Sequence, residues 1–320
     1  MNDSTSSDPS QPSPGSPANS ELPQRLNYTI RMFAPERWGQ VNRFSTFFSA
    51  SFPDATSIER RAVSGVGNHF RKALVLRSLA LQLAPNLSID QEQLDSRGYT
   101  AAEHGVELAA VIENVFTELY SAVDCARKIV SFRYPLRGVP DSTRKMFDRA
   151  RNGKLDGILP NSLVSAFREA DWYGPLRVLR DELTHSDIGS VHQDRASGLV
   201  TYMHRGLGSD QQALIIENIF ARLDADVDAV NRFLGVVFLQ LNSILKDKRT
   251  TQVCGMHQGK VLMREIRPEP VITFDSGRCL SVSWIEVNNK PTCPLLCGAY
   301  WRTKSEIAKS LSNGNDEASS

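Results

Sequence analysis

Residues 103–132 read EHGVELAAVIENVFTELYSAVDCARKIVSF. Apolar side chains fall at Leu108, Ile112, Val115, Leu119, Ala122, Ala126 and Ile129, in steps of three and four. That spacing puts them on one face of a long helix. Glu107, Glu113, Glu118, Asp124 and Lys128 lie between them and are expected to face solvent. A helix of this length with one apolar face needs other helices to cover it, so the stretch points to a helical bundle.

The flanking sequence supplies those helices. Residues 38–50 and 67–84 have helical patterning. The second has Asn68 available as an N-cap and stops before Pro85. After the break YPLRGVP (134–140), a shorter helix is expected over 141–151 with Asp141 as its cap. Pro160 and Asn161 open another, closed by Gly174. Pro175 suits the first position of the next helix, because its missing N–H would be unpaired there anyway. That helix is expected to run to about His185, with Leu176, Leu179 and Leu183 facing the core. Residues 190–210 are rich in turn formers around LVTYMHR, which predicts a β-hairpin. Residues 210–248 predict the longest helix, with a stripe from Ile216 through Leu245.

Outside this middle part the character changes. Residues 1–24 are dominated by Ser and Pro, cannot bury a core, and are expected to be disordered. Residues 25–33 alternate Leu26, Tyr28, Ile30 and Met32 and suggest a short strand. Residues 249–303 alternate and carry turn signals, which predicts a small β-rich appendage, and 304–320 is expected to be a disordered tail. The expected organisation is thus an N-terminal helical region (25–102), a helical bundle (103–248) and the appendage (249–303). The fold class is mainly α, with a β-hairpin insertion and a small β-rich C-terminal part. No internal repeat is visible.

Composition narrows the function. A net charge of +1 gives no global attraction to nucleic acid or membrane, so a nucleic-acid site must be a local patch. The first residues lack the basic and apolar regions of a secretory signal. The longest fully apolar run, FLGVVFL (233–239), falls far short of the ~20 residues that span a bilayer. These features predict a soluble cytoplasmic protein with no membrane partner. No phosphate-cradling glycine loop is present: GVGNHFRK (65–72) fits neither the Walker nor the dinucleotide pattern.

One short motif carries chemistry. Within PLRVLRDELTHSD (175–187), Arg180 precedes His185 by five positions, with the polar Asp181 next to the arginine. LRDELTH resembles the Arg-x4–6-His signature of the HEPN superfamily (higher eukaryotes and prokaryotes nucleotide-binding domains). The likeness covers roughly 103–247 and rests on this motif and the order of helices around it. It implies a bundle of four or five helices that works as a homodimer and a metal-independent endoribonuclease, with a role in defence or stress response. It also implies that Arg180 and His185 form the catalytic pair, with Asp181 in support.

The residue types suit RNA cleavage by 2′-OH attack. Histidine titrates near neutral pH and can move the proton. Arginine stays charged, and its planar fork matches phosphate oxygens. Five residues of helix turn through about 140° and rise about 7.5 Å, so the pair does not share one narrow face. Asp181 sits four residues before His185 and can orient its ring. Members paired with a nucleotidyltransferase antitoxin often carry tyrosine two residues after the histidine. Here that residue is Asp187, and tyrosine modification at this site is not expected.

Two other readings stand beside this one. The first is a non-catalytic nucleotide-, RNA- or protein-binding helical module. The second is a structural protein whose motif is an ordinary solvated helix face. Near the motif, Trp172 and Tyr173 suit either base stacking or packing. His192, His204, Arg195 and Arg205 suit either phosphate contact or simple solvation.

The chain has five cysteines: Cys125, Cys254, Cys279, Cys293 and Cys297. The odd count argues against a disulfide framework. Cys254-x2-His257 and Cys293-x3-Cys297 are two short-spaced pairs that suit a structural zinc ion, the alternative being unpaired buried thiols.

Overall fold

The structure is a computed structural model that describes residues 39–135, 140–185, 188–205, 214–269, 272–273, 275–288, 293, 295 and 297–316. The Ser/Pro-rich tail and the strand expected at 25–33 lie outside the described residues. The fold is mainly helical, with two small three-stranded antiparallel sheets.

The bundle begins with α1 (Gly39–Ser51) and α2 (Ser57–Leu83). Helix α2 starts ten residues before the expected position. Thr56 accepts the Glu59 N–H at 3.2 Å while the Glu59 carboxylate accepts the Thr56 N–H at 2.7 Å. This reciprocal cap satisfies two donors that would otherwise be unpaired, and it sets the start. A 3-10 turn at Ala84–Asn86 takes up Pro85, and α3 (Leu87–Arg97) ends at Gly98, whose φ is +75°.

Helix α4 (Glu103–Arg133) is the central element. Its expected stripe is buried in full, from Leu108 to Ile129. Helix α2 lies along it, and α8 and α7 pack on its other sides. Two of its acidic residues differ from expectation, since Glu113 and Glu118 are buried. Each buried carboxylate has partners. Glu118 accepts His69 Nδ1 and Lys72 Nζ of α2, both at 2.6 Å.

Helix α5 (Thr143–Arg151) starts two residues after Asp141. Its N-cap is Ser142, and no side chain caps it. Helix α6 (Asn161–Arg168) comes next, then α7 (Tyr173–His185). Pro175 therefore falls in the first turn of α7, where a missing N–H does no harm.

The expected hairpin is present as β1 (Ser190–Gln193) and β2 (Val200–His204). A third strand, β3 (Leu214–Ile216), pairs with β2. Ile216 thus belongs to the sheet and not to the long helix, which begins later as α8 (Ile219–Asn242). Asn218 caps it by accepting the Ala221 N–H at 3.0 Å. One continuous core runs from Val41 in α1 to Leu241 in α8.

The C-terminal unit contains β4 (Thr250–His257), β5 (Lys260–Ile266) and β6 (Arg278–Cys279). Gln258 and Gly259 both have positive φ, +48° and +73°, as a tight two-residue hairpin turn requires. The alternation at SVSWIEV is not a strand: α9 spans Val282–Asn288, with Val282 and Ile285 facing the core three residues apart. Helix α10 (Gly298–Asp316) occupies much of the expected disordered tail. Phe47 of α1, Leu245, Ile266 and Ile272 join this unit to the bundle, and Arg43 donates to the Pro268 carbonyl at 2.6 Å. Among the described residues no helix is long and apolar enough to cross a membrane.

Candidate functional site

The motif lies on α7, seated against α4 by Leu176 and Leu179, with Leu183 half-buried. The base of the helix is fixed by rings. Tyr173 stacks on Phe147 with centroids 3.6 Å apart and planes 3° from parallel. Trp172 meets Phe147 and Phe233 edge-on at 6.4 and 5.6 Å. Tyr173 is 2% exposed, so it is a packing anchor and not a surface on which a base can stack. Burial pushes its phenol far above the usual range, which keeps it neutral.

Arg180 is half-buried on the side of α7 that meets Tyr120. Its guanidinium carbon lies 4.6 Å from the centre of the Tyr120 ring of α4, a cation–π arrangement. Its Nη1 donates to Asp181 at 3.0 Å. Arg180 Nε is buried and has no hydrogen-bond partner among the described residues. Asp181 also accepts Arg177 Nη1 at 2.9 Å. The carboxylate that sequence spacing assigned to His185 is therefore held between two arginines.

His185 is the last residue of α7. Its side chain lies outside the described residues, as do residues 186–187, so the structure brings Arg180 and Asp181 together and says nothing of the imidazole.

The strand just beyond the motif is tightly held. Glu113 of α4 accepts the Gly189 N–H at 2.6 Å and the Tyr202 hydroxyl at 2.9 Å. A Cβ on Gly189 would lie 2.2 Å from the Tyr202 hydroxyl oxygen, so only glycine fits. One buried carboxylate thus anchors the strand that leaves the motif. Tyr120 and Tyr202 carry no sequence signal that places them in this arrangement. Glu113 was visible as an acidic residue flanked by core positions, but its partners are distant in the chain.

The hairpin residues divide. His204 is buried beside Tyr202, and Arg195 pairs with Asp95 of α3. His192 and Arg195 line a cavity of about 410 Å³ shared with Asp90 and Gln91 of α3, which contains neither Arg180 nor Asp181. A second, apolar groove of about 340 Å³ is lined by Pro175, Val178 and Leu179 of α7 with Leu214, Ile216 and Arg222. At about 100° per residue it lies on the opposite side of α7 from Arg177, Arg180 and Asp181.

In the C-terminal unit, Cys293 and Cys297 are buried in the same small core against which Cys254 packs, and Cys279 joins them there. His257 stands at the hairpin turn opposite Lys260. Cys279 was not among the expected ligands, because its sequence neighbours carry no second ligand. Among the described residues no three His, Cys, Asp or Glu side chains already stand at metal-ligand spacing.

Compared with known family models, curated proteins and solved structures, the chain matches none of them.

Proposed function

We propose that the protein is a HEPN-type endoribonuclease of the cytoplasm, acting as a homodimer and cutting RNA by 2′-OH attack without a catalytic metal. Arg180 stabilises charge on the phosphoryl oxygens, His185 moves the proton, and Asp181 positions the arginine. The observation that supports this best is the seating of Arg180. An aromatic ring and a carboxylate hold its guanidinium in place while the side chain stays 29% exposed on the helix face. A cation fixed in advance and still open to a ligand is what a developing phosphorane needs.

The test is incubation of RNA with the wild type, His185→Ala and Arg180→Ala, with EDTA present. Loss of cleavage by about 10²–10⁴-fold in the histidine variant, with helicity and dimer intact, supports the assignment. Equal cleavage by wild type and variant removes it.

A second reading is a non-catalytic RNA- or nucleotide-binding module. One observation favours it: Asp181 takes hydrogen bonds from both Arg177 and Arg180 and so offsets part of their charge. Under this reading the wild type leaves RNA whole, and Arg180→Ala lowers only its binding.

A further inference from the structure

Four of the five cysteines lie in the C-terminal unit, and the fold gathers all four. Cys254 is the extra residue of a β-bulge: Val253 pairs with Met263 and Gly255 with Leu262, leaving Cys254 without an opposite number on β5. A bulge of this kind re-aims a side chain. Cys279 pairs with Arg264, which pairs in turn with Gln252, two residues before Cys254. Cys279 lies in the thiol core with Leu262 and the bulged Cys254 packs against that core, so both sit on the inner side of the sheet.

Cys293, Cys297 and Leu295 pack on that side. Leu295 lies 3.1 Å from where a Cβ on Gly255 would sit, directly over the bulge. Cys293 and Cys297 are 3% and 2% exposed and Cys279 is 8% exposed. Besides these thiols the unit's own core holds only Leu262, Val282, Ile285, Ala299 and Tyr300 among the described buried residues. An apolar core this thin is a weak basis for order, and small units of this kind commonly add a metal or a disulfide. The cysteines are free thiols.

We propose that Cys254, Cys279, Cys293 and Cys297 hold one structural Zn²⁺ in a tetrahedral four-thiolate site that clamps the sheet to the start of α10. Cys279 takes the place that sequence spacing gave to His257. His257 is three strand residues beyond Cys254, about 10 Å along the chain, beside the Lys260 cation.

The surroundings suit thiolates once an ion supplies positive charge. The backbone N–H of Ser281 faces the Cys279 sulfur, and those of Tyr300 and Ala299 face the Cys297 sulfur just ahead of α10. The buried Arg264 adds a cation near Cys254. Binding forms four Zn–S bonds as four S–H protons leave to solvent, and it draws the sulfurs together, so ion uptake is coupled to ordering of the unit.

The experiment measures zinc in the full-length chain, purified under reducing conditions. Apo protein is then titrated with Co²⁺ as an optical probe. The expected content is about one Zn²⁺ per chain, with strong sulfur-to-cobalt charge-transfer bands and tetrahedral d–d bands. Cys279→Ser and Cys297→Ser should each lower zinc retention by at least about tenfold, and His257→Ala should leave it unchanged. Should a serine variant fail to fold, the wild type still decides. Absence of bound zinc together with absence of thiolate–cobalt bands overturns the site. Loss of zinc in His257→Ala with retention in Cys279→Ser overturns the ligand set.

Discussion

The guanidinium of Arg180 rests 4.6 Å from the centre of the Tyr120 ring, so the motif helix and the central helix meet through a cation and an aromatic face. The contact holds the arginine without using its hydrogen-bond donors. Replacing Tyr120 with Leu should keep the fold and loosen the guanidinium. Cation–π contacts of this kind are worth about 0.5–2 kcal/mol, so the variant should lose about 2- to 30-fold in RNA cleavage or binding. Circular dichroism should remain unchanged. Unaltered RNA activity would show that the ring does not position Arg180.

Arg180→Lys tests the shape of the cation. Lysine keeps the charge but loses the planar fork. Cleavage should fall by more than tenfold while the salt dependence of RNA binding stays close to that of the wild type, measured by fluorescence anisotropy at several salt concentrations. A variant as active as the wild type would mean that charge alone suffices.

The anchor at Glu113 should be sensitive to both of its partners. Glu113→Ala leaves the Gly189 N–H and the Tyr202 hydroxyl without their shared acceptor, at a cost of about 2–4 kcal/mol. Gly189→Ala forces a methyl into the Tyr202 ring and should cost about 1–3 kcal/mol. Because both act on one contact, the double variant should be less destabilised than the two single effects combined. Urea unfolding of the four proteins checks this.

Acid should weaken the packing of α2 against α4. Burial alone would raise the Glu118 carboxyl, but hydrogen bonds from Lys72 and His69 outweigh it and hold the group below its usual 4.5. Asp124 is also depressed, by Lys128, Thr143 and Arg127 acting against its burial. A carboxyl whose pKa is lower in the folded state contributes stability that is fully present above its unfolded value. That stability is lost as pH falls through the folded value. Between about pH 5 and pH 3 the wild type should therefore lose more stability than Glu118→Gln, measured as the urea midpoint at each pH. Parallel curves would contradict the assignment.

The cap at Thr56 should be worth about 1 kcal/mol, so Thr56→Ala should lower the urea midpoint with little change in slope.

The bundle was largely legible because local pattern and burial agree along α4, where every stripe residue is buried. The start of α2 was missed because Asn68 offered a later cap, although Thr56 and Glu59 already stood at capping-box spacing. Residues 281–287 satisfy a period of two and also a three-residue step between Val282 and Ile285. Contact with the neighbouring thiol core decides between them, and no local rule expresses that contact. The site was legible only as a motif. Glu113 meets Gly189 across 76 positions and Glu118 meets His69 across 49, distances over which composition carries no pairing information. Cys279 joined its thiol neighbours through strand register, which one chain read alone does not reveal.

The ring cluster at the base of α7 also makes the motif helix observable by light. Trp172 is wedged between Phe147 and Phe233, while Trp284 and Trp301 belong to the C-terminal unit. With Trp38, Trp284 and Trp301 changed to Phe, the remaining indole becomes a built-in gauge. Its emission colour tells whether α7 stays docked when RNA is added.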